Sequence, residues 1–190
     1  MVASPRTESE ESRITFSPSE AERFYSPLGA WKGPLAAREV QDEALRFWRS
    51  SGEEEVRWLI HRLRDEFHLE TLHGVASLLA DLGQSILAPV FDELSRGASR
   101  DQALCLLWAL DSLIESDPSL RLEASAAELA LVDLLQNDDS DVREAAAEAM
   151  RLLRPERAVR WLEHRLRDET DSEVRQTIQR ELTRLHADRA

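Results

Sequence analysis

The sequence predicts an all-α protein built as a solenoid of antiparallel helix pairs. Three observations carry that expectation. From residue 35 onward apolar residues recur at helical spacing, with no strand-like alternation of any length. Glycine, proline and short polar clusters interrupt the pattern repeatedly, and the short loops they leave favour antiparallel neighbours. Whole segments also resemble one another at a nearly fixed offset.

Taken in order, residues 1–15 read as a flexible acidic and polar tail without period. Residues 16–34 form a second unit. There Ser17 can serve as an N-cap, Pro18 suits the first helical position, and Glu20 stands where a capping-box acid belongs. A short helix from about 18 to 25 follows, and "YSPLGAWKGP" breaks it. Tyr25, Leu28 and Trp31 are apolar enough to pack back onto the body. Residues 35–190 form the repeat domain. Its helices are expected near 35–50, 53–66, 69–82, 84–96, 100–115, 124–136, 141–153, 156–168 and 172–187. The breaks fall at Gly52, Gly83, Gly97, Pro118, the "QNDDSD" turn and Pro155.

The repetition is explicit in two places. "DLLQNDDSDVREAAAEAMRLL" (133–153) aligns with "RLRDETDSEVRQTIQRELTRL" (165–185) at an offset of 32. Residues 56–82 align by apolar spacing with 87–113 at an offset of 31. Each helical pair has an apolar stripe that it cannot bury alone, and stacking buries it between neighbours. The run "DDSDVREAAAEAM" resembles the turn-plus-helix pattern of HEAT-like repeat proteins, the short bacterial type related to phycobilin-lyase repeats. The resemblance is strongest over 124–187, is one of pattern over 53–116, and does not extend to residues 1–34. It implies a right-handed solenoid of about four to five repeats. It also implies a structural ladder in which an aspartate of the turn and an arginine one helical turn later tie adjacent repeats. Those positions are Asp139 with Arg143 and Asp171 with Arg175.

One string repeats far more closely than the rest. "VRWLIHRLRDE" (56–66) and "VRWLEHRLRDE" (159–169) agree at ten of eleven positions, 103 residues apart. At about 100° per residue, Val56, Leu59, Ile60 and Leu63 form the core stripe of the first copy. Trp58, His61, Arg62 and Asp65 form another stripe roughly opposite, repeated as Trp161, His164, Arg165 and Asp168. Glu163 replaces Ile60, so the core stripe changed where the tryptophan stripe did not. Two readings stand side by side. The tryptophan stripe is a partner-binding patch of aromatic and cationic groups, the chemistry of interface hot spots. Alternatively, it is packing between repeats, because a solenoid helix buries more than one face.

Composition bounds the function. Residues 91–150 carry a net charge of −10 out of −13 for the chain, which repels phosphate backbones and disfavours nucleic acid. No apolar run approaches the roughly 18–20 residues that span a bilayer. The first residues lack the apolar stretch of a secretory signal, and the lone Cys105 sits in apolar "QALCLLWAL" as a small buried hydrophobe. A cytoplasmic location is expected. His61 with Asp65 supplies only two ligands, and His68 and His73 lack zinc-protease spacing, so no metal or other cofactor is expected. There is no recognisable nucleophile motif or phosphate loop, so no catalytic residue is assigned. The expected function is a non-catalytic scaffold or adaptor that binds another protein, with a basic partner suiting the acidic middle. One alternative is an inhibitor or immunity-like protein masking a basic partner. The other, by fold analogy, is a bilin lyase-like or chaperone-like cofactor-handling protein.

Overall fold

A computed structural model describes residues 17–25, 42–43, 46–65, 69–120, 122 and 125–187. The expected tail, the "YSPLGAWKGP" loop beyond Tyr25 and most of the expected 35–50 helix lie outside the described residues. The helices are α1 (Pro18–Tyr25), α2 (Glu53–Arg62), α3 (Leu69–Asp81), α4 (Leu87–Ser95), α5 (Arg100–Ser116), α6 (Ser125–Leu134), α7 (Ser140–Ala149), α8 (Pro155–Asp168) and α9 (Ser172–Ala187). Residues 46–49 are also helical. Among the described residues there is no strand, only an isolated bridge between Leu122 and Leu153.

The helix limits follow from local chemistry. Gly83 and Gly97 adopt φ of +67° and +88°, a conformation that favours glycine, and they close the turns after α3 and α4. Ser99 accepts the Gln102 N–H at the start of α5, Pro155 opens α8, and Asp171 accepts the Glu173 and Val174 N–H groups of α9. Asp139 does the same for α7, accepting from the Asp141 and Val142 N–H groups at 3.0 and 3.2 Å. Leu63–Asp65 and Met150–Leu152, expected to continue as α-helix, tighten into 3₁₀ turns, and so does Gly83–Ile86, which spans the expected break at Gly83 and the expected start of the next helix.

These helices stack in two layers. In the first, α1 packs on α2, α2 on α4 and α4 on α6, and α8 is linked to α6 through Arg157 and Trp161, which both donate to Glu128. In the second, α3 packs on α5, α5 on α7 and α7 on α9. The second-layer helices are in more extensive mutual contact than the first-layer helices. The fold is thus an all-α solenoid of four described pairs, α2/α3 to α8/α9, preceded by α1 and the turn at 46–49. Its core is continuous, from Trp48 and Leu59 through Leu106 and Leu110 to Met150 and Ile178. Cys105 lies fully inside it; burial raises its thiol pKa far above the ordinary range, and its Sγ lies 3.1 Å from the Leu72 carbonyl as donor.

Polar ties run between repeats on top of this core. In the first layer Arg57 of α2 reaches Asp92 of α4, and Arg157 of α8 reaches Glu128 of α6. In the second layer Arg100 of α5 donates to Asp139 (2.7 Å) and Asp141 at the head of α7. Asp139 therefore caps its own helix and holds the preceding repeat. Its replacement by alanine should cost about 1–2 kcal/mol, read as a lower urea midpoint with an unchanged slope.

Candidate protein-docking surfaces

The second layer carries a groove of about 470 Å³, lined by His73, Arg100, Leu104, Trp108, Asp141, Glu144, Ala145 and Glu148. Three helices build it: α3 supplies His73, α5 supplies Arg100 to Trp108, and α7 supplies the acids. Trp108 is half-buried, and its ring centroid lies 4.5 Å from that of the exposed His73, tilted 35°. Burial and the neighbouring Asp111 raise the Glu148 pKa; Arg180 opposes them, and Glu144 and Glu181 add to the rise. Carboxylates are thus crowded along one wall, held partly by Thr177, which donates to Glu144 at 2.7 Å, and by Arg180, which donates to Glu148 at 2.6 Å. Sequence reasoning did not single out Trp108. The available signal was a tryptophan one turn after Leu104 on a helix already carrying a full apolar stripe.

The repeated string lies on the opposite layer, and its two copies meet different neighbours. In the first copy, Trp58 is half-buried, stacked on Trp48 (6.1 Å, 17°) and met edge-on by Tyr25 of α1 (6.2 Å, 85°). The Arg62 guanidinium lies 5.0 Å over the Tyr25 ring, and its Nε donates to Glu22 at 3.4 Å. His61 is exposed, and the Asp65 side chain lies outside what is described. In the second copy Trp161, His164, Arg165 and Asp168 come together on α8. With Val132, Leu135 and Gln136 they line a cleft of about 280 Å³. Trp161 is half-buried, donates to Glu128 at 2.8 Å, and has Arg160 5.5 Å over its ring. His164 and Asp168 are exposed.

Asp139, Arg143, Asp171 and Arg175 all sit at repeat turns. Asp139 and Asp171 act as helix caps. Arg175 closes its own turn by donating to the Leu166 and Glu169 carbonyls. Arg143 reaches the next repeat, where its Nε and Nη2 donate to the two carboxylate oxygens of Glu169 at 2.9 and 3.1 Å. The inter-repeat ties here are Arg143–Glu169 and Arg100–Asp139. Glu169, the last residue of the repeated string, was present in the sequence but carried no assigned role there.

Among the described residues no group of three or more histidines, cysteines or acids is placed to hold a metal ion. Among them, too, no single helix is long and apolar enough to cross a membrane.

Two stacked layers of helix pairs, tied turn to turn, define an α-solenoid of the repeat-protein class. Residues 106–183 match the family model for HEAT repeats, and the all-α solenoid of the described residues is HEAT-like in that part. That match begins inside α5, earlier than the segment where the sequence pattern is most evident. No curated protein and no solved structure matches the chain. HEAT repeats commonly mediate protein–protein interaction and are typically non-catalytic.

Proposed function

We propose that the chain is a non-catalytic scaffold that binds a basic segment of a partner protein in the second-layer groove. The supporting observation is the Trp108–His73 platform beside the carboxylates of Asp141, Glu144 and Glu148. A half-buried indole supplies apolar contact and a cation-accepting face. Burial first, and then Asp111, Glu144 and Glu181 against the opposing Arg180, raise the Glu148 pKa, and an incoming lysine or arginine relieves the like-charge part of that rise. Arg100 does not cancel the field, since Asp101, Asp139 and Asp141 all pair with it.

The test is a titration with arginine- and lysine-rich helical peptides, read by tryptophan fluorescence and repeated at rising salt. Binding should weaken with salt. It should fall at least about tenfold in Trp108→Ala and in the Glu144→Arg/Glu148→Arg pair. Equal affinity in both variants would sink the proposal.

A further inference from the structure

The second copy of the repeated string has the same chemistry as the first but a different neighbour. In the first copy, an aromatic side chain and a carboxylate from α1 engage the stripe: Tyr25 against Trp58 and under Arg62, Glu22 on the Arg62 Nε. These two α1 residues are three apart, so they share one face of a short helix. In the second copy the neighbouring helix is α6, "SAAELALVDL", which contains no aromatic residue. First-layer packing is also looser between α6 and α8 than between α2 and α4 or α4 and α6. The cleft lined by the Trp161, His164, Arg165 and Asp168 stripe, with Val132, Leu135 and Gln136, opens there.

We infer that this cleft is a second docking site, whose occupant is a partner segment presenting a tyrosine or phenylalanine three residues after a glutamate. Four observations support that chemistry. The cleft's volume of about 280 Å³ lies just under the roughly 300–1,000 Å³ of small-molecule sites, which suits a single aromatic side chain. Its wall is half-apolar, from Trp161, Val132 and Leu135, as an aromatic ring requires. His164 and Arg165 line it beside Asp168, with Arg160 over the Trp161 ring; Arg165, which also donates to Glu169, stands where Arg62 takes Glu22 in the first copy, so a glutamate on the incoming segment has a matching cation. Finally, Leu129 stands 62% exposed one turn before Val132 on the same side of α6, extending the apolar wall beyond the cleft. α1 of the same chain is a poor occupant of this cleft, because its covalent attachment holds it at high effective concentration beside Trp58. The site is independent of the second-layer groove, because it lies on the other layer.

A fluorescein-labelled peptide with the sequence of residues 17–26, "SPSEAERFYS", is the probe, added in trans to the full chain and followed by anisotropy. Saturable binding is expected. It should weaken at least about tenfold in Trp161→Ala, and equally when the peptide's own Tyr25 or Glu22 is changed to alanine. Because Trp161 is half-buried, Gln136→Trp provides a second variant; Gln136 is exposed, and a bulky residue there fills the cleft without touching the core. Loss of binding in Gln136→Trp at an unchanged melting temperature supports the inference. No saturable binding to the wild-type chain overturns it, as does binding that both variants retain. Binding lost in Trp58→Ala but kept in Trp161→Ala assigns the peptide to the α1 site and overturns it too. A concentration-dependent dimer of the chain alone that Trp161→Ala dissolves would make the occupant a second copy and overturn the partner reading.

Discussion

Replacing Glu169 with alanine should destabilise the protein by about 3–5 kcal/mol, the range for removing one partner of a buried ion pair. Its carboxylate is fully buried and accepts six hydrogen bonds: two from Arg143, two from Arg165, and the backbone N–H groups of Thr170 and Asp171. Arg143 is itself only 9% exposed at its side chain, so its guanidinium would lose its carboxylate partner where little water can reach it. Two carbonyls, Asn137 and Asp138, would still accept from Arg143, which sets the cost within that range rather than above it. Urea unfolding is the measurement. At about 2–4 °C per kcal/mol for a chain of this size, the melting temperature should also fall by about 10 °C. A change below 1 kcal/mol would mean that the turn between α8 and α9 relaxes and is not tied to α7 through Arg143.

The same carboxylate gives the fold an acid limit. Burial alone pushes the Glu169 pKa up, but hydrogen bonds from Arg143, the Asp171 N–H and Arg165 outweigh it and hold the value at about 2, against an ordinary 4.5. The folded pKa lies below the unfolded one, so the unfolded chain binds the proton first as pH falls. The stabilisation is therefore complete above about pH 4.5 and lost between there and about pH 2, a loss of about 3 kcal/mol. In Glu169→Gln the stability–pH curve should be flatter by that amount across the same window.

How much of this was legible in the sequence depends on how far each cause lies along the chain. Helix positions were readable because their causes are local. The expected 100–115, 156–168 and 172–187 correspond to Arg100–Ser116, Pro155–Asp168 and Ser172–Ala187. The 3₁₀ turns after α2 and α7 were not, because apolar spacing continues through them and periodicity alone does not separate the two geometries. The Ile60 to Glu163 exchange was visible, but its reason was not. Ile60 is buried on α2, against which α4 packs, whereas Glu163 is exposed on α8, beyond which no first-layer helix is described. Likewise, the two tryptophan stripes read as equivalent in sequence. What meets Trp58 is Tyr25, 33 residues earlier, and what meets Trp161 is an aliphatic helix. Both tryptophans are half-buried against the core, and what differs between the copies is the neighbouring helix that meets them. Glu169 was overlooked for a similar reason: its main partner lies 26 residues upstream.

The first copy's packing predicts the other large effect. Trp48→Ala should cost about 3–5 kcal/mol, because the indole is fully buried and its removal leaves a cavity at the end of the stack. Trp48 does more than fill space. Its Nε1 donates to the Phe24 carbonyl at 3.3 Å, and its ring stacks on Trp58 and meets Phe47 edge-on, while Phe47 stacks on Phe24 (4.6 Å). One residue thus joins α1, the 46–49 turn and α2. Amide exchange in α1 should speed up in this variant well before the rest of the solenoid unfolds, because α1 packs mainly through this aromatic cluster. A double-mutant cycle isolates the stacking itself. Trp48→Ala and Trp58→Ala should couple by about 0.5–1.5 kcal/mol, the range for aromatic pairs beyond their buried area. Trp48→Ala and Trp161→Ala should instead add, since the two indoles lie in different repeats and share no neighbour among the aromatic contacts. If Trp48 couples equally to both copies, the first stripe is not held by the α1 cluster. Its burial would then have to come from the solenoid as a whole, and the contrast with the open Trp161 cleft would lose its physical basis.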